Sequence, residues 1–144
     1  MSTNPPRPGL SPQQAALVAL VAAQRIAQVD DAKLVAFASA QAALDGITEA
    51  QLRGATTLAQ EIAEARDGFD TLLDMLAAAL GDAHAAAAYM LAADFIAQNG
   101  RVSPEEMRFL ERLGDALGID RLTRAAFDSA AQARATSFEA QDNG

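Results

Sequence analysis

Residues Ile96 to Asp120 read IAQNGRVSPEEMRFLERLGDALGID. An alanine-rich helix ends at Asn99-Gly100, where both residues tolerate positive φ and so suit a left-handed helix terminus. Ser103-Pro104-Glu105-Glu106 opens the next helix with Ser at the N-cap, Pro at the first helical position and Glu at the third. Met107, Leu110, Leu113 and Leu117 recur at helical intervals, which predicts an inward stripe with Phe109 nearby. Gly118 closes this helix and Asp120 caps another. The stretch is a helical hairpin, and the rest of the chain uses the same parts.

Ser11-Pro12-Gln13-Gln14 opens helix 1, which runs to about Gln28. Asp30 or Asp31 caps helix 2, with Leu34, Val35, Phe37, Ala38 and Leu44 at helical spacing before Asp45-Gly46 ends it. Thr48-Glu49-Ala50-Gln51 is a second capping box and starts helix 3, which ends near Arg66. After Asp67-Gly68, helix 4 covers about 69–80, with Phe69, Leu72, Leu73, Leu76 and Leu80 on one face. Gly81 stops it and Asp82 caps helix 5, about 83–98, which is apolar nearly all round and belongs inside a bundle. Helix 6 is the Ser103–Leu117 element, and helix 7 runs from Asp120 to about Ala135. The expectation is one all-α domain of seven helices over 11–135, a disordered Pro-rich leader over 1–10 and a flexible tail over 136–144.

Composition agrees. A quarter of the 144 residues are alanine, the best helix former, and β-branched and aromatic residues are too scarce to pack a sheet. The net charge of −8 argues against nucleic acid and against anionic lipid, and it permits a cationic partner, including a divalent metal. The absence of cysteine excludes thiol chemistry, and a single histidine, His84, excludes a multi-histidine zinc site. No run approaches the roughly 18 apolar residues of a membrane span. AALVALVAA over 15–23 resembles the apolar part of a secretory signal, but one arginine and four prolines precede it, three of them within 1–10, so a core helix is expected. A cytoplasmic location is expected. No nucleophile–base pair and no phosphate loop is present, so no catalytic residue is expected.

The chain also repeats itself faintly. Arg25-Ile26-Ala27-Gln28 corresponds to Phe95-Ile96-Ala97-Gln98, and Val29–Leu44 follows Val102–Leu117. Val29 aligns with Val102, Phe37 with Leu110 and Leu44 with Leu117, and the second copy holds three extra residues, Asn99-Gly100-Arg101. Two such hairpins would form halves of one bundle, since a solenoid needs more units.

Tyr89-Met90-Leu91-Ala92-Ala93-Asp94, Asn99 through Glu106, Phe109-Leu110 and Leu117-Gly118-Ile119-Asp120 together resemble the TerB-like family of tellurite-resistance proteins. The first hairpin looks like that family's first copy of the motif, so the resemblance spans about 11–135. It implies a seven-helix bundle with two pseudo-repeated hairpins and a non-enzymatic role in bacterial tellurite resistance or stress response. It also implies contacts with protein partners, or with metal ions, on an acidic surface. A second copy of the chain is one candidate partner. The sequence departs from the family pattern at Asn99, which replaces an acidic turn residue, and at Lys33, where a glutamate is expected.

The candidate site is therefore Asp94, Asn99 and Glu106, three oxygen donors suited to a hard divalent cation. Each also has a plainer role. Glu106 completes a capping box with Ser103, and Glu105 adds charge to the same helix start. Asp94 needs a partner if it is buried, and Arg101 or Arg108 is at hand. An EF-hand is excluded, because aligning Gly100 with that loop's glycine puts Phe95 and Ala97 at ligand positions.

Overall fold

The computed structural model describes residues 10–136, and these are helical with no strand. Apart from Leu10 and Thr136, the expected leader and tail lie outside the described residues. The helices are α1 (Pro12–Ala27), α2 (Asp31–Ala40), α3 (Glu49–Ala63), α4 (Gly68–Ala97), α5 (Pro104–Ala116) and α6 (Arg121–Ala135). A 3₁₀ turn, Ala42–Leu44, follows α2.

Local chemistry sets the starts. Ser11 with Gln14, Thr48 with Gln51, and Ser103 with Glu106 each form a reciprocal capping box, satisfying two backbone N–H groups that a helix start leaves without partners. Asp30 and Asp120 accept from Lys33 N–H and Thr123 N–H.

Two expectations change. Helix 2 stops at Ala40, because Gln41 turns extended (φ −85°, ψ 121°), and Leu44 reaches the core from the 3₁₀ turn instead. The expected helices 4 and 5 follow one another directly within Gly68–Ala97, two helical stretches that meet at a kink at the expected break, Gly81, and counted together as α4 they give six α-helices. Gly81 still breaks α4: at φ 59°, ψ −173° it occupies a region open almost only to glycine. By length and composition α4 could cross a membrane, with a mean hydropathy of 1.3 over its most apolar 18 residues, which corrects the reading that no stretch approaches a span. Here it is the central helix, packed against α1, α3, α5 and α6.

The most extensive contact joins α1 to α4. Ala15, Ala16, Ala19, Ala22 and Ala23 from α1, and Ala85, Ala88, Ala92 and Ala93 from α4, are all buried. Small side chains let the two backbones approach, while Leu17, Leu20, Leu76, Tyr89 and Ile96 supply bulk. The 15–23 segment is buried throughout, as a core helix should be. Phe37 meets Phe95 edge-on at 5.2 Å and joins α2 to α4. The Arg112 guanidinium lies 4.5 Å from the centre of the Phe69 ring and also bonds Asp70, which pins α5 to the start of α4.

Candidate functional site

The three residues singled out from the sequence take separate roles. Asp94, whose side chain is 19% exposed, accepts two hydrogen bonds from Arg134 of α6, at 2.7 and 3.0 Å. Its partner is thus neither Arg101 nor Arg108. Asn99 donates to the Phe95 carbonyl at 3.1 Å and so serves the end of its own helix. Glu106 is 5% exposed, and its Oε1 accepts from Ser103 N–H at 2.7 Å. Among the described residues no group of three or more His, Cys, Asp and Glu side chains is gathered at metal-binding spacing. His84 is exposed.

The chemistry converges elsewhere, between α5 and α6. Both helices pack on α4 far more than on each other. A cleft of about 570 Å³ remains between them, which lies in the range of small-molecule sites. Val102, Met107 and Leu110 form an apolar wall, and Tyr89 of α4 lies on the floor. Met107 is 61% exposed because no helix covers it, so the inward stripe expected of α5 begins at Leu110.

The polar lining comes mostly from α6: Arg121, Arg124, Asp128 and Gln132, at intervals of three to four residues and hence on one face. Arg124 is 8% exposed. Its Nη1 donates to the Glu111 carbonyl at 2.7 Å and its Nη2 pairs with Asp115 at 3.0 Å, so it straps α6 to α5. Its Nε is buried without a partner. Gly114 makes room for this arrangement, since a Cβ there would lie 2.0 Å from Arg124 Cδ.

Tyr89 is 1% exposed, and its hydroxyl donates to Asp128 Oδ1 at 2.7 Å. Burial raises its pKa; the hydrogen bond to Asp128 and that carboxylate's charge raise it further, while Arg124 pulls it back. The phenol therefore stays protonated and holds Asp128 in place. Asp128 is half-buried, and neither it nor the exposed Glu111 forms an ion pair among the described residues.

This cleft was missed in the sequence. The signals present were the lone tyrosine inside an apolar helix and the Arg124/Asp128 pair one turn apart on α6. No family model, curated protein or solved structure matches the chain.

Proposed function

We propose that the chain is a non-enzymatic, TerB-like helical module of a bacterial tellurite-resistance or stress-response system, acting in the cytoplasm through protein contacts on an acidic surface. The observation that carries the acidic surface is its distribution. Between residues 45 and 82 stand eight acidic residues against Arg53 and Arg66, and all eight are exposed. By contrast, residues 101–136 hold six acids and six arginines and are neutral. The surface of α3 and the first half of α4 thus carries an excess of negative charge, which attracts a cationic partner and raises the rate of encounter.

The TerB-like part of the reading draws support from the two hairpins. Gln28 (φ 58°) and Gly100 (φ 98°) both turn left-handed after the first helix. Asp30 and Ser103 then cap the second helix by accepting from the third residue onward. Phe37 and Leu110 are both buried, as are Leu44 and Leu117, while Val29 and Val102 are half-buried.

The deciding experiment is co-purification from the native host, comparing the unaltered chain with a variant carrying Glu61→Gln, Glu64→Gln, Asp67→Asn and Asp74→Asn. A partner held by the unaltered chain, released by salt and lost from the variant, is expected. Equal capture by both chains refutes the acidic surface. Tellurite is an oxyanion, and an acidic chain without cysteine neither attracts nor reduces it, so its role in resistance is indirect. Direct tellurite binding in calorimetry would overturn that. The rival, a divalent cation on Asp94, Asn99 and Glu106, has the weaker support, since Arg134 and the Ser103 cap already engage both carboxylates.

A further inference from the structure

The α5–α6 cleft presents a combination that the fold itself does not need. Its wall is aliphatic and thioether, from Val102, Leu110 and Met107. Its polar side holds two carboxylates, Asp128 and Glu111, without an ion-pair partner among the described residues. A half-buried carboxylate beside apolar surface is costly unless a cation or several donors reach it. Tyr89 supplies one donor, to Oδ1 of Asp128. The second carboxylate oxygen has no hydrogen bond among the described residues.

We infer that this cleft binds an aliphatic ammonium group, its methylene stem along Val102, Leu110 and Met107 and its charged head at Asp128 and Glu111. An ammonium has three donors and no acceptor, which suits acceptor-only carboxylates. A linear stem matches a wall without aromatic rings.

The two arginines of the lining do not oppose this. Arg124 is engaged by Asp115 and by the Glu111 carbonyl, and its charge is the weakest of the influences felt at the Tyr89 hydroxyl. Arg121 precedes Asp128 by seven residues, which places it about 10 Å away along the helix axis. The inference stands apart from the TerB-like reading and needs none of it. Two sources share this chemistry, a lysine side chain of another protein and a free aliphatic amine.

The test titrates the full chain with n-pentylammonium, with n-pentanol and pentanoate as controls, following side-chain resonances of Tyr89, Met107 and Leu110. Saturable binding of pentylammonium alone is expected. Asp128→Asn should weaken it by about tenfold or more, the loss of one charge-assisted contact, and Glu111→Gln by less because Glu111 is exposed. Should Asp128→Asn impair folding, the exposed Glu111→Gln and Tyr89→Phe variants carry the test. The inference is overturned if pentanol or pentanoate binds as well as the ammonium, if no probe binds, or if these variants bind like the unaltered chain. Comparing Nα-acetyl-lysine methylamide with putrescine separates the sources: tighter binding of the lysine derivative assigns the cleft to a protein side chain, tighter binding of the diamine to free polyamine.

Discussion

Replacing Gly114 by alanine tests the α5–α6 strap directly. Gly114 lies inside α5, where alanine is intrinsically better by about 0.5–1 kcal/mol, so propensity alone predicts stabilisation. The structure predicts the reverse. The new Cβ would lie 2.0 Å from Arg124 Cδ and 3.0 Å from Nε and Nη1, against an ordinary contact of about 3.5–4 Å. Arg124 cannot swing away cheaply, because it is buried and held at its tip by Glu111 and Asp115. Displacing it sacrifices a charge-assisted hydrogen bond of about 1.5–3 kcal/mol. The Asp115 pair adds at most about 1 kcal/mol, since that carboxylate is mostly exposed. After the propensity gain is subtracted, the net cost is about 1–3 kcal/mol, which lowers the melting temperature by roughly 3–10 °C in a domain of this size. Thermal melting by circular dichroism measures it. The same substitution in an Arg124→Ala background should become neutral or stabilising, so the double-mutant cycle is strongly non-additive. A Gly114→Ala protein as stable as the unaltered chain, or an additive cycle, refutes the strap.

Tyr89 is the chain's only tyrosine and there is no tryptophan, so tyrosinate absorbance reports it alone. Its titration should begin well above the ordinary value of about 10 and move back toward it in Asp128→Asn. Because the folded pKa is the higher one, the linked stability is complete below about pH 10 and is lost as pH rises above it; denaturant melts across that range should show the loss, and Tyr89→Phe should remove it. Ser103→Ala deletes one half of a capping box and should cost about 1 kcal/mol, roughly 3 °C in melting temperature, and an unchanged melt would contradict the cap. Gly81→Ala meets no atom within 4 Å, so its cost is the backbone conformation alone, about 1–3 kcal/mol; equal or higher stability would show that α4 can straighten there. Melting with Ca²⁺, Mg²⁺ or Mn²⁺ against chelator should give no shift, and a shift would restore the divalent-cation reading of Asp94, Asn99 and Glu106.

The helix starts were legible in the sequence because a capping box is written in four consecutive residues. Ser11-Gln14, Thr48-Gln51 and Ser103-Glu106 all close as expected. Inward faces were legible where a neighbouring helix arrives, as at Leu34, Phe37 and Leu110, and illegible where none does. Met107 and Val35 keep the right spacing yet are exposed, because periodicity marks a face but not whether anything covers it. Gly81 was correctly read as a break, because only glycine readily takes the non-helical backbone (φ 59°, ψ −173°) that divides α4 there. The candidate site shows the same limit more sharply. Asp94 and Arg134 are 40 residues apart, and Tyr89 and Asp128 are 39. Such pairings come from the way α6 lies across α4, which no local pattern encodes.

The alanine seam between α1 and α4 has a cost in register. Two rods studded with methyl groups are almost smooth, and sliding one along the other by a single turn would exchange one row of methyls for an equivalent row. Correct alignment therefore depends on the bulkier buried side chains of α1, such as Leu17 and Leu20. Shaving Leu17 or Leu20 to alanine would degrade the uniqueness of the fold well before it removed the helices, leaving a molecule that keeps its far-ultraviolet dichroism while its methyl resonances broaden.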